Sequence, residues 1–406
     1  MKELNLWWNR QCMIKYFVDT INRYEISNEI KIVVPKSAKT YPSICTPLAA
    51  IIDEYKDKGY RFNFNYKGIN NYIKHTRVSN PLSVEEMLDS SELAFPLDKV
   101  WKYNSAEGVA KLVTAFVKTI RSDALLEKGI ISSIEWCINE VMDNVLQHSI
   151  SGIGYVMGQI HKENKRISIC VADLGVGIYE SLKSSRHCPR TAIDGLTLAL
   201  QEKITRDENI GQGNGMWGLG KIVAENGGRL EIQSNSAKLL YEKGETKTQE
   251  TSRFNVGRYN NITYVDFQMD YSNQTDVAKA LNGYEPLDIW LDEHDSEVDE
   301  KYHFLLQNDC VGTGTRIAAQ KFKNQIFNAL KEKRKKVVLD FEGISVVSSS
   351  FADELIGKIV AEKGFIYFSC YFEIKNISPF NASVVNRSVE QRMAQKYYDR
   401  NMADID

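Results

Sequence analysis

A chain of 406 residues is long enough for two or three domains, and its 43% apolar and 26% charged residues are ordinary for a globular protein. A net charge of −2 gives no ground for a nucleic-acid partner or a charged membrane surface. No apolar run reaches the ~18–20 residues of a membrane helix, and MKELNLWWNRQ lacks the marks of a signal peptide, so the expected location is the cytoplasm. The seven cysteines are scattered, and no two stand at metal-ligand spacing.

Residues 1–100 read as a small α/β unit of unknown role. The run IKIVVP predicts a strand, TPLAAIIDEYKDKG (46–59) a helix with a glycine cap, and RFNFNY (61–66) an alternating strand. Residues 105–271 follow with a helix near 107–121 and the long helix LLEKGIISSIEWCINEVMDNVLQHS. Ile130, Ile134, Cys137, Ile138, Val141 and Val145 mark its buried stripe. Strands are predicted at 154–161, 166–173, 229–234 and 262–269, with helical segments near 191–204 and 218–226. Long helices beside an antiparallel set of strands imply an α+β sandwich. Residues 272–310, with LDEHDSEVDE, read as an acidic linker. Residues 311–406 predict a helix (317–332), the strand KVVLDF (336–341), a helix (351–364) and the strand YFSCYFEI (367–374), a small α/β domain.

Three motifs in this order carry the chemistry. Glu140, Asn144 and His148 stand four residues apart and so share one helix face, bordering the apolar stripe. An Asn oxygen can ligate Mg²⁺, and a carboxylate one turn away can orient a water. Alone, the trio also fits a solvated polar face. Asp173 ends the apolar run ISICVA, where a carboxylate needs a partner, and Gly175 and Gly177 let the backbone come close to a ligand. The same residues also fit an ordinary turn. The cluster GQGNGMWGLGKIVAENGG opens a helix, where backbone N–H groups suit phosphate oxygens. It is neither a Walker A motif nor a dinucleotide fingerprint.

NEVMDNVLQHS, ADLGVGI and GNGMWGLGKIV together resemble the N box and the two glycine boxes of the GHKL superfamily, over residues 105–271. The resemblance implies the Bergerat α/β sandwich, ATP with Mg²⁺, Glu140 as general base and Asn144 as the Mg²⁺ ligand. It implies Asp173 as the adenine partner and Gly175, Gly177, Gly215, Gly218, Leu219 and Gly220 as nucleotide-binding backbone. Residues 179–217 would be the lid, with Lys203, Thr205 and Arg206 as candidate phosphate contacts. VVLDFEGISVVSSSFADELIGKI is similar to STAS-like domains, relatives of the anti-sigma-factor antagonists, over residues 312–395. Their phosphorylatable serine lies in Asp-Ser-Ser-Gly. The present loop reads Ser348-Ser349-Ser350-Phe351, without the acid or the glycine. Ser349 and Ser350 are phosphoacceptor candidates, and equally a helix cap with Ser350 before FADEL.

The expected function is a slow ATPase acting as a conformational switch in bacterial signalling or defence. The alternatives are a serine protein kinase acting on a STAS-like domain and a non-catalytic ATP-sensing scaffold. A switch of this kind implies a protein partner or a homo-oligomer formed through the N-terminal or STAS-like domain.

Overall fold

Three parallel strands come first, β1 (Lys2–Asn5), β2 (Glu29–Val34) and β3 (Arg61–Tyr66), joined in that order into a small sheet. The computed structural model describes residues 2–5, 12–23, 29–35, 38–66, 71–88, 90–149, 151–183, 185–204, 215–252, 256, 261–286 and 288–403. Helices α1 (Cys12–Arg23) and α2 (Pro42–Asp57) connect the strands. Pro42 fits the first position of α2 because the first helical N–H has no acceptor in its own helix. Ile44, Cys45, Leu48, Ala49, Ile51 and Ile52 leave α2 with little polar surface, and such a helix must be covered on more than one side.

The second cover is an eight-stranded sheet. It is built from β4 (Leu82–Ser83), β5 (Trp101–Tyr103), β6 (Gly154–His161), β7 (Arg166–Asp173), β8 (Arg229–Ser234), β9 (Ala237–Glu242), β10 (Glu245–Glu250) and β11 (Thr263–Asp270). The strand order is β10-β9-β8-β11-β7-β6-β5-β4, antiparallel except for the pair β4–β5. Tyr155 and Met157 of β6 share one buried cluster with Phe17, Ile32 and α2. Gly158, on the other face of β6, lies against Phe116 of α4 (Ala106–Asp123). The cross-strand register sets Thr263 opposite Asp173. Helices α3 (Asn71–His75), α5 (Ile130–His148), α6 (Gly177–Lys183), α7 (Ala192–Ala199), α8 (Gly215–Asn226) and α9 (Val277–Ala280) complete this part. α5 and α8 pack on each other and on β6, β7, β8 and β11.

Contacts divide the chain into two units, residues 1–119 with 130–285, and residues 120–129 with 286–406. The second unit holds α10 (Ile289–His294), β12 (Asp295–Ser296), β13 (Lys301–Leu305), α11 (Leu306–Asp309), α12 (Arg316–Glu332), β14 (Lys336–Asp340), α13 (Ser349–Ala352), α14 (Lys358–Lys363), α15 (Phe365–Tyr371), β15 (Phe372–Lys375) and α16 (Pro379–Ala403). β13, β14 and β15 are parallel, and β12 is antiparallel to β13. β13 thus comes from the acidic stretch expected as a linker. The fold is mixed α+β with several sheets. No helix among the described residues is long and apolar enough to cross a membrane.

One predicted strand is corrected. Of YFSCYFEI only the last three residues are strand, the start of β15, and the preceding residues end α15. Gly364, at φ 93°, ends α14 and lets the helix restart. Phe368 and Phe372, four residues apart, then stack at 4.9 Å inside the core, an arrangement that outweighs the strand preference of the aromatic run.

Candidate functional site

α5 brings the first motif to the sheet. Its buried stripe runs through Ile134, Cys137, Ile138, Val141 and Val145, as the spacing predicts. Asn139, Asp143 and Gln147 form the exposed face, whereas Glu140, Asn144 and His148 are half-buried between the two. The solvated face is therefore the neighbouring one. Burial, and then the charge of Asp143, push the Glu140 carboxyl above its ordinary range. The Asn144 amide nitrogen is buried and has no hydrogen-bond partner among the described residues. An unmet buried donor is costly, so this group is suited to an acceptor from a ligand.

α8 begins against these two side chains. A Cβ at Gly215 would stand 2.4 Å from a Glu140 carboxylate oxygen and 3.4 Å from the Asn144 nitrogen. Glycine here lets the first turn of α8, the positive end of its dipole, lie against the end of the Glu140 side chain without displacing it. Gly218 serves another purpose. A Cβ there would fall 2.2 Å from the Trp136 ring, so its smallness lets α8 lie on α5. Leu219 is core, with its side chain fully buried, and Gly220 has room beside Leu200. Gly211, Gly213, Thr205 and Arg206 lie outside the described residues, and Lys203 stands in the turn after α7.

Asp173 closes β7 as expected. Its carboxylate accepts the Gly175 N–H at 2.8 Å, and a Cβ at Gly175 would meet the same oxygen at 2.6 Å. Burial pushes the Asp173 carboxyl up to about 6, against the Gly175 N–H and the Ser149 hydroxyl, which favour its charge. Gly177 has φ +82°, and the side chains of Asn235 and Asn261 fill the place of its Cβ. The N–H groups of Ile178 and Tyr179 at the start of α6 are taken by Ser234 Oγ (2.9 Å) and Asn235 Oδ1 (3.0 Å). That helix start is satisfied by the protein itself.

Sequence reasoning missed three residues here. Thr263 is buried beside Asp173, and its hydroxyl lies 2.9 Å from Ser234 Oγ. Asn235 bridges Val176 and Tyr179 and holds the Asn261 oxygen through its own N–H. Their signal was weak: polar residues at the ends of two predicted strands, paired only once the register is known. Among the described residues no group of His, Cys, Asp and Glu is arranged to hold a metal by itself. A cavity of about 230 Å³ lined by Tyr179, Thr191, Ile193, Ser236 and Glu250 shares no residue with the Glu140 set.

In the second unit, Asp340 ends β14 and accepts N–H groups from Glu342 and Asn376, each at 2.9 Å. The cap of the next helix is Ser348, which accepts the Phe351 N–H at 3.1 Å, not Ser350, because α13 starts earlier than the sequence suggests. Ser350 hydrogen-bonds Ser348, and Ser349 is exposed. Comparison with curated proteins returns no match to this chain. Residues 318–381 match the family described as a STAS-like domain of unknown function (DUF4325), so the C-terminal unit contains a STAS-like domain.

Proposed function

We propose that the first unit binds Mg-ATP in the manner of GHKL proteins and hydrolyses it slowly, as a nucleotide-dependent switch. The observation that carries this reading is the meeting of Glu140, Asn144 and the start of α8 at Gly215. Phosphate oxygens suit the N–H groups of that helix start, and the orphaned Asn144 amide supplies a further polar group at the same place. Asn144 also carries an oxygen of the kind Mg²⁺ prefers. When bound, Mg²⁺ offsets phosphate charge. Glu140, its carboxyl raised above the ordinary range by burial, is suited to accept a proton from an attacking water. Asp173, with Thr263 beside it, fits the amine end of a base.

The test follows free phosphate and protein-bound label after incubation with Mg²⁺ and γ-labelled ATP. Glu140→Ala is expected to lower phosphate release by roughly 100-fold while nucleotide still binds. Equal turnover in both proteins would remove Glu140 from the chemistry. A second reading, a serine kinase, is favoured by the exposed Ser349 at the start of α13. Stable label at Ser349 would establish it over the ATPase.

A further inference from the structure

Within the second unit, α10 joins the core through Leu291, which is buried in one cluster with Phe304 and Leu306. Its last residue is His294, whose side chain is 10% exposed. Two rings pack on it, Trp290 at 4.3 Å and Phe304 at 4.8 Å. Both ring nitrogens face acceptors. Nδ1 stands 2.7 Å from the Trp290 carbonyl oxygen, and Nε2 stands 3.0 Å from a carboxylate oxygen of Asp309. The other Asp309 oxygen accepts the Leu305 N–H at 2.8 Å, at the junction of β13 and α11.

A neutral imidazole carries one N–H and can donate to only one of these acceptors. Imidazolium donates to both. His303 is the contrast in the same unit. It meets Asp299 through Nε2 alone, at 3.0 and 3.1 Å, and a neutral tautomer satisfies that contact. The surroundings of His294 are mainly acidic. α10 itself carries Asp288, Asp292 and Glu293, and α11 supplies Asp309. β12 brings Asp295, which is held by Lys335. β13 brings the uncharged Phe304, while its Lys301 and His303 are bound to Glu373 and Asp299. One further cation, Arg121, lies 4.0 Å from the Trp290 ring, with both oxygens of Asp288 at 2.8 Å to offset its charge. Burial works against a charged ring, yet the hydrogen bonds to Asp309 and to Trp290 outweigh it. The ring therefore holds its proton more tightly than an ordinary histidine.

We propose that the proton on His294 is a latch that fastens α10 to the junction of β13 and α11, closed while the ring is charged and released when it is neutral. The latch stabilises this unit fully below about pH 6.5, where the unfolded histidine is charged too. That contribution is lost as pH rises through the higher folded value. On release one of the two hydrogen bonds goes, and with it the hold that keeps Trp290 and Leu291 on Phe304 at the edge of the core.

A pH titration of the full chain tests this. NMR of selectively labelled histidine rings gives the His294 midpoint, and amide exchange, taken relative to the intrinsic rate at each pH, gives the protection of α10. His294 is expected to titrate above ~6.5. Protection of 289–294 and of the segment containing Leu305 is expected to fall about tenfold as pH passes that midpoint. In His294→Gln the same segments should be weakly protected at every pH. A midpoint at or below ~6.5, or protection that does not follow the midpoint, would overturn the latch. So would a pH-dependent fall that survives in the variant. Should His294→Gln not fold, Asp309→Asn reads the same contact and is expected to weaken proton binding by His294 about tenfold. An unchanged midpoint there would overturn the proposal.

Discussion

Asp173 and Asp266 are both fully buried carboxyls in the eight-stranded sheet, and burial pushes each up to about 6. Arg229 and Gln268 moderate the shift at Asp266, as Gly175 and Ser149 do at Asp173. An unfolded Asp ionises near ~4. Between that pH and about 6 the folded chain keeps protons that the unfolded chain has lost, so these groups make stability fall as pH rises through this window. Above it their contribution is constant. Asp173→Asn removes one of the two. Its thermal midpoint relative to the parent chain should therefore improve between pH 4 and pH 7. A pH-independent difference would show that Asp173 does not titrate in the folded state as its surroundings imply.

At the scale of elements, α5 and α8 show what two glycines of one motif do. Gly215 opens α8 onto Glu140 and Asn144, while Gly218 seats α8 on Trp136. Gly218→Ala is expected to destabilise the chain by about 1–3 kcal/mol through overpacking against a rigid ring. Gly215→Ala meets only the flexible end of Glu140, so it should cost less than about 1 kcal/mol and lower nucleotide affinity about tenfold or more. Equal effects on melting and on binding would contradict this division. The division was invisible in the sequence, where the glycines read as one phosphate-binding cluster at a helix start. The α5 stripe, β6, β7 and β8 were legible because their apolar periods are long and regular. The α15 segment was not, since an aromatic run fits strand or helix until its packing partners are known. Ser350 was misjudged as the cap in place of Ser348 because three adjacent serines offer the same chemistry and only the helix start chooses among them. Thr263 was out of reach because its pairing with Asp173 depends on a register between strands ninety residues apart.

For the molecule as a whole, the first hundred residues are a wall and not an appendage. α2 lies between two sheets, and Tyr155 and Met157 of the larger sheet share its core. A further tie runs from Asp53 of α2 to Lys102 (2.7 Å) and Tyr155 (2.8 Å). A chain starting near residue 100 is expected to be largely insoluble, since its sheet would expose that apolar face. Recovery of a monomeric, cooperatively melting fragment would refute this. The two edges of the same sheet are of another kind. One ends in β4, only two residues long, and the other in β10, ETKTQE, whose side chains are all exposed and mostly charged or hydroxylated. Short strands and charged edges resist the strand-by-strand growth by which open sheets aggregate. Edges of this kind protect the sheet from pairing with other copies of the chain, so any assembly is left to surfaces other than these edges.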